Sequence, residues 1–107
     1  MFIYKRCNCA DKQTLNKSIQ EQSSSLTDLL KLVAVPARLE ILFLLEEKAH
    51  CVCDIEAHTK LSQSLTSHHL SDLVKAGLIT RYKQGKFVHY KLTDKGQELT
   101  RNLKHLN

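Results

Sequence analysis

The stretch from His50 to Leu73, HCVCDIEAHTKLSQSLTSHHLSDL, most restricts what this chain can fold into. It joins a Cys-x-Cys pair to a segment whose residues separate onto two faces when each advances about 100° around a helix. One face holds Leu65, His69, Leu70, Leu73 and Val74, and the other holds Ser64, Ser67, His68, Ser71 and Lys75. Solvated helix faces, the alternative interpretation, are usually rich in Glu, Lys and Gln. We therefore expect a helix that packs on one side and contacts phosphate or bases on the other.

The residues before this helix predict a helix-turn-helix. Val52 and Ile55 mark a short apolar helix over about residues 52–59, and Thr59-Lys60-Leu61 leaves room only for a tight turn. Two helices joined in this way form a helix-turn-helix, whose second helix, the recognition helix, enters the major groove of DNA.

The residues after the recognition helix predict a β-hairpin. Residues 79–83 and 87–92 alternate apolar and polar side chains, and Gln84-Gly85-Lys86 lies between them as a turn. A helix-turn-helix followed by such a hairpin is a winged helix. The expected fold class is therefore mainly α with a small β-hairpin.

Positive charge is concentrated in and beside this hairpin. The net charge of the chain is +5, and the segment between Leu73 and Thr93 holds five basic residues and no acidic one. A basic stripe beside a recognition helix is typical of nucleic-acid binders, whereas without the helix-turn-helix it would indicate only a soluble basic surface. The predicted DNA contacts are Gln63, Ser64, Ser67, His68, Ser71, Lys75, Arg81, Lys83 and Lys86.

The rest of the 107 residues predicts an arm and one small domain over residues 26–107. Residues 1–25 lack strong periodicity, so we expect a flexible arm whose last residues, Gln22 to Ser25, are able to cap a helix. An amphipathic helix is expected over residues 26–33. Pro36 then suits the first turn of a second helix, which is apolar on nearly every side and should be the central buried one.

The last helix is expected to begin after Thr93, and it places Leu99, Leu103 and Leu106 at helical spacing. The amphipathic helices at the two ends of the domain could pack against a second subunit or cover the core of their own protomer.

The four cysteines form two Cys-x-Cys pairs, Cys7-Asn-Cys9 and Cys51-Val-Cys53. No signal peptide or membrane span is visible, so a cytoplasmic protein is expected, whose reduced cysteines indicate metal or redox chemistry. Across a helix start the side chains of such a pair can converge, and the helix dipole there favours thiolate. Four thiolates suit cadmium, zinc or lead. Alternatively, Cys51 and Cys53 are small buried apolar residues and the N-terminal pair is idle.

Several motifs resemble the ArsR/SmtB family of metal-sensing winged-helix repressors over about residues 26–100. They are Pro36-Ala-Arg38-Leu-Glu-Ile41-Leu, Cys51-Val-Cys53-Asp54-Ile55, residues 64–73, Ala76-Gly77-Leu78 and the Lys-Gln-Gly-Lys of residues 83–86. The resemblance implies a dimer that leaves its operator when a metal or metalloid binds. Cadmium/lead-type members bind metal through the Cys-Val-Cys pair and arm cysteines, often of the opposite subunit. Cys7, Cys51 and Cys53 match that pattern, and Cys9 departs from it.

Two other metal sites of the family are not expected. Glu56 stands where arsenic-type members carry a third cysteine, and Gly96 replaces the first histidine of the zinc-type site on the last helix. Among the histidines, His69 is expected to be packed and His68 to point outward. Surface positions are expected for His50 and His58. No arrangement typical of an enzyme is present.

The sequence thus predicts a repressor that binds an inverted-repeat operator as a homodimer and is released by cadmium, lead or zinc. An arsenite-responsive repressor, a redox-sensing winged-helix regulator and a metal-buffering or zinc-structured module are the alternatives. Neither a membrane nor a small-molecule substrate is expected as a partner.

Overall fold

The computed structural model describes residues 12–107, and their side chains from residue 17 onward. Cys7 and Cys9, two of the predicted metal ligands, lie outside the described residues. The elements in order are α1 (Lys12–Val33), α2 (Pro36–Glu47), β1 (His50–Cys51), α3 (Val52–Thr59), α4 (Gln63–Lys75), β2 (Ile79–Gln84), β3 (Phe87–Leu92) and α5 (Asp94–Lys104). The mainly α fold with a helix-turn-helix, α3 and α4, and a following hairpin, β2 and β3, is confirmed.

The chain divides into two units, the first ending at Leu30 and the second covering Lys31–Asn107. Most of α1 belongs to the first unit. The helix expected over residues 26–33 is present but begins at Lys12, so Ser23 to Ser25 lie inside it and do not cap it. Side chains from residue 17 to residue 28 are exposed. Apolar periodicity detects only helices with a buried face, which explains why the sequence did not predict this part of α1.

The core of the second unit is built around α2. Pro36 occupies the first turn, where its missing N–H is not needed by the helix. Ile41, Leu42 and Leu45 of α2 are buried, which confirms α2 as the central buried helix. The other elements of this unit add the buried side chains of Val33, Ile55, Leu70, Leu73, Leu78, Ile79 and Leu92.

A short turn fixes α4 relative to α3. Lys60 follows α3 in the left-handed conformation with φ of 60°, and its N–H donates to the carbonyl of Glu56 at 2.8 Å. Ser62 then caps α4, because its hydroxyl accepts from the N–H of Leu65 at 3.2 Å. The bounds of α3 agree with the sequence prediction, and a tight turn follows α3 as predicted.

The three strands form an antiparallel sheet with β3 in the centre. β2 pairs with β3 from Ile79–Leu92 to Gln84–Phe87, and Gly85, with φ of 63°, begins a two-residue turn. A positive φ at the first central position is typical of a type II′ turn. β1 pairs with the other edge of β3 and was not predicted, since two residues are too short to show an alternating pattern. Through β1 the Cys51-Val-Cys53 pair is joined to the hairpin sheet.

The last helix, α5, is capped and closely packed at its start. The hydroxyl of Thr93 accepts from the N–H of Gly96 at 3.0 Å and donates to the carbonyl of Gly77 at 2.6 Å. A Cβ atom on Gly96 would lie 2.0 Å from the carbonyl oxygen of Leu78, so only glycine permits this approach. In residues 12–107 no helix combines the length and apolarity needed to cross a membrane.

Candidate nucleic-acid interface and thiol site

α4 presents the polar surface that its sequence predicts. Its predicted DNA contacts, Gln63, Ser64, Ser67, His68, Ser71 and Lys75, are all exposed. The opposite face buries Thr66, Leu70 and Leu73. Leu65, predicted to lie on the packing face, is instead 50% exposed. Leu70 and Leu73 set the rotation of the helix and point about 100° away from Leu65, so Thr66 takes the buried position.

A groove of about 430 Å³ lies between α4 and the hairpin. It is lined by Ser67, Ser71, Val74 and Lys75 of α4, Arg81 of β2 and Tyr90 of β3. Four predicted DNA contacts thus share one surface, where two hydroxyl groups, an ammonium and a guanidinium suit the oxygens of a phosphate. Lys83 and Lys86 are exposed near the hairpin turn and do not line this groove. The sequence did not predict Tyr90, whose ring is largely buried.

Arg38 of α2 holds α4 in place through its buried guanidinium group. Nη2 donates to Asp72 Oδ2 at 2.5 Å, Nε donates to His69 Nδ1 at 3.0 Å and Nη1 donates to the carbonyl of Leu32 at 3.1 Å. Sequence reasoning missed this role of Arg38. The signal was Asp72, the single acidic residue of α4, which lies beside its packing face.

The two neighbouring histidines of α4 have different surroundings, as predicted. His69 is partly buried, and desolvation and the charge of Arg38 lower its pKa below the ordinary value of 6.5; His68 adds to this effect and Asp72 opposes it. A neutral ring keeps Nδ1 free to accept from Arg38. The side chain of His68 is 63% exposed, with Nε2 at 3.5 Å from Asp72 Oδ2.

The described cysteine pair lies where β1 meets α3. Cys51 ends the strand and occupies the N-cap position of α3 without a capping hydrogen bond from its side chain, and the exposed Cys53 lies in the first turn. Desolvation, followed by the charge of Cys51 and a hydrogen bond with it, raises the pKa of the Cys53 thiol, and Glu56 and Asp54 add to the shift. The two cysteines are two positions apart across the junction of β1 and α3. The prediction that the helix start favours thiolate does not hold for Cys53, because desolvation, followed by nearby negative charge, raises the pKa of its thiol.

The thiols of Cys51 and Cys53 could supply two of the four ligands that a thiophilic metal ion needs. Such ions take four thiolate or mixed thiolate and imidazole ligands. Among residues 17–107, no three His, Cys, Asp or Glu side chains are gathered at coordinating distance.

The histidines beside this pair differ from each other. His58 is exposed, as predicted. His50 is not a surface residue, since its side chain is only 13% exposed, with Nδ1 at 3.5 Å from Asp54 Oδ2 and Nε2 buried without a hydrogen-bond partner. Pairing with Tyr90 on β3 turns His50 onto the covered face of the sheet.

Comparison with known proteins agrees with this geometry. Residues 35–81 match the family described as "Bacterial regulatory protein, arsR family". The chain is 42% identical over 67 residues to the arsenical resistance operon repressor of Staphylococcus xylosus, covering 63% of this chain and 64% of the relative. It is 39% identical over 67 residues to the cadmium resistance transcriptional regulatory protein CadC of Listeria innocua, covering 62% of this chain and 56% of the relative. The matches thus span less than two thirds of these curated relatives.

One solved structure resembles this chain over most of the length of both proteins. The transcriptional regulator HlyU from Vibrio vulnificus superposes with a TM-score of 0.73 and 33% identity, covering 84% of this chain and 95% of HlyU. The matched proteins are regulators and repressors, which confirms the prediction that the chain is not an enzyme. The resemblance seen in the sequence motifs is confirmed as well: this chain belongs to the arsR family of bacterial regulatory proteins.

Proposed function

We propose that this chain is a cytoplasmic, metal-responsive transcriptional repressor that binds operator DNA as a homodimer and dissociates when a thiophilic ion binds at cysteine thiolates. The observation that carries the proposal is the position of Cys51, which is the last residue of β1 and directly precedes α3. β1 is hydrogen-bonded to the basic hairpin sheet, and α3 leads into the recognition helix α4. A change at Cys51 therefore acts on both elements that would contact DNA.

The DNA side of the proposal rests on α4 and the hairpin. The exposed polar arc of α4 enters a major groove, and the groove between Lys75 and Arg81 holds a backbone phosphate. Lys83 and Lys86 contact further phosphates from the hairpin. One helix and one hairpin make a small footprint, so two protomers are expected on an inverted repeat with half-sites about 10 bp, or a multiple, apart.

The thiol side of the proposal rests on Cys51 and Cys53, with Cys7 and Cys9 of the N-terminal arm completing four thiolates. Such a donor set suits cadmium, lead or zinc. Ligation of the arm to the start of α3 fixes a dimer geometry that matches two successive major grooves poorly. A coupling free energy of about 1–3 kcal/mol would give about 5- to 150-fold weaker DNA binding, and DNA would weaken ion binding by the same factor.

Anisotropy of a labelled operator, obtained by selection from random duplexes, tests the proposal. Cys53→Ser and Cys7→Ser proteins should bind this operator like wild type but no longer dissociate from it when cadmium or lead is added. His58→Gln, an exposed change on α3, is the matched control and should release normally. Dissociation of the Cys53→Ser protein at the same cadmium concentration as wild type would falsify the thiolate switch.

An arsenite-responsive repressor is the second candidate, favoured by the 42% identity to an arsenical resistance repressor. Glu56 in place of a third cysteine speaks against it. Titration of the same operator complex with arsenite under reducing conditions decides between the two. Release by an oxidant without any ion, reversed by a thiol reductant, would instead identify a redox sensor built on the adjacent thiols of Cys51 and Cys53.

A further inference from the structure

We infer that His89 of β3 is a metal ligand together with Cys51 and Cys53 of the same protomer, and that the site takes a zinc-class ion. The inference rests on the proposed function and deepens it, since the imidazole of His89 replaces one of the two arm thiolates in the set of four ligands. The sequence analysis gave no role to His89.

The sheet register places His89 beside the thiol pair. Cys51 of β1 and His89 of β3 are directly opposite each other. Opposite residues of an antiparallel pair have their side chains on the same face of the sheet, with Cβ atoms about 4.5–5.5 Å apart. Cys53 is the second residue of α3 and so follows Cys51 by two positions. Two thiols and one imidazole are thus carried by neighbouring backbone positions.

The imidazole of His89 has a nitrogen without a partner. Nδ1 is buried and makes no hydrogen bond with any described residue. A buried polar atom left unpaired costs about 1–3 kcal/mol, so its presence needs a physical reason. Nδ1 is a lone-pair donor whenever Nε2 carries the proton, and an ion shared with Cys51 would satisfy it.

Ligation by His89 also changes the hairpin. The ring of His89 now stacks on Tyr82 of β2, with centroids 5.5 Å apart and planes at 24°. Because the three donors are not yet at coordinating distance, the ring of His89 has to turn when it ligates, and the stack on Tyr82 opens. The ammonium group of Lys91 lies 5.6 Å from the centre of the Tyr82 ring. The connection from Cys51 to the basic hairpin therefore runs through one side chain, that of His89. The connection from Cys51 to the recognition helix α4 runs through the whole of α3 and a turn.

The donor set indicates the class of ion. Imidazole is a ligand of intermediate softness that suits zinc and its spectroscopic substitute cobalt(II). A site with two thiolates and one imidazole therefore favours zinc, cobalt(II) and cadmium over lead or arsenite, which fit an all-thiolate site.

Cobalt(II) titration of the reduced full chain, followed by visible and near-ultraviolet absorption, tests the inference. His89→Gln should bind cobalt(II) about tenfold or more weakly than wild type, with an altered visible spectrum. His50→Gln is the matched control, because His50 neighbours Cys51 and also has an unpaired buried nitrogen but lies on the opposite face of the sheet. It should leave affinity and spectrum unchanged. An identical affinity and spectrum for His89→Gln, or a loss in His50→Gln alone, would overturn the inference.

A measurement on the wild-type protein covers the case in which His89→Gln does not fold. Nuclear magnetic resonance with isotopically enriched cadmium and labelled histidine should show a cadmium–nitrogen coupling to Nδ1 of His89. Absence of that coupling, while the thiolate charge-transfer bands are present, would reject His89 as a ligand and leave the thiolate switch standing. If neither cobalt(II) nor cadmium gives thiolate bands, or Cys53→Ser leaves them unchanged, the proposed function fails together with this inference.

Discussion

Arg38 Nη2 lies 2.5 Å from Asp72 Oδ2, and this ion pair joins the central helix α2 to the recognition helix α4. The two side chains are only 10% and 26% exposed. Removing one partner of such a shielded pair leaves the other charge without compensation, whereas an exposed pair is weak because water screens it. The orientation of α4 therefore depends on a shielded contact with α2.

Arg38→Ala should lower the free energy of unfolding by about 3 kcal/mol, the cost of leaving a shielded partner unpaired. Urea denaturation followed by circular dichroism measures it. Lys104→Ala is the control, since it removes the exposed Lys104–Glu46 pair at 2.7 Å and should cost less than about 1 kcal/mol. Equal losses in the two variants would contradict the role given to Arg38.

His69 should make the free energy of unfolding depend on pH. Because its pKa is lowered in the folded protein, the unfolded chain binds more protons as the pH falls through 6.5. The stabilisation is fully present above that pH and is lost as the pH falls toward the folded-state pKa. In His69→Gln, whose amide oxygen can accept from Arg38 Nε, this part of the pH dependence should disappear. Urea titrations from neutral to mildly acidic pH measure the difference, and parallel curves for the two proteins would refute it.

Gly96→Ala should destabilise the protein although alanine is the better helix former. The added Cβ would lie 2.0 Å from the carbonyl oxygen of Leu78 and 3.3 Å from Leu92 Cδ2, so the contact of α5 with this backbone has to open. The expected loss, by analogy with an overpacked core, is about 1–3 kcal/mol. Asn102→Ala, an exposed change in the same helix, should shift the free energy by no more than about 0.5 kcal/mol. A gain in stability for Gly96→Ala in thermal melts would show that the contact is not rigid.

The hairpin lysines and the recognition helix should affect DNA binding differently. Lys83→Ala and Lys86→Ala should weaken binding to all duplexes alike and reduce the salt dependence by about one phosphate contact each. Ser64→Ala, Ser67→Ala and His68→Ala should instead change which sequences are preferred. Binding isotherms at several salt concentrations, with operator and scrambled duplexes, separate the two effects. Wild-type operator affinity in all five variants would refute this placement of the DNA-binding face.

Local patterns in the sequence predicted most of the fold. The boundaries of α3, the turn at Lys60 and the hairpin turn at Gly85 follow from caps and alternation within a few residues. Long-range pairing was not accessible in this way. The two-residue strand β1 exists only because β3 lies beside it, and that pairing also covers His50.

The candidate site was also predictable only where it depends on local sequence patterns. The polar arc of α4 follows from helical periodicity, but the rotation of the helix depends on α2 and α3, so Leu65 is exposed against expectation and Thr66 is buried. The pKa of Cys53 is raised by desolvation and then by Cys51, Glu56 and Asp54, which a helix-dipole argument leaves out. Arg38 and Asp72 are 34 positions apart, and nothing in their local sequence pairs them.

The junction at Cys51 also limits how this sequence can evolve. β1 ends at Cys51 and α3 begins at Val52, with no linking residue between them. An inserted or deleted residue here would rotate Cys53 by about 100° about the axis of α3 or shift Cys51 away from His89 in the sheet. The hairpin turn at Gly85-Lys86 lies at the open end of the sheet, where a longer loop adds little to the entropy cost of closure. Variation among descendants of this protein should therefore appear as changes of length at the hairpin turn, and only as exchange of side chains at the cysteine pair.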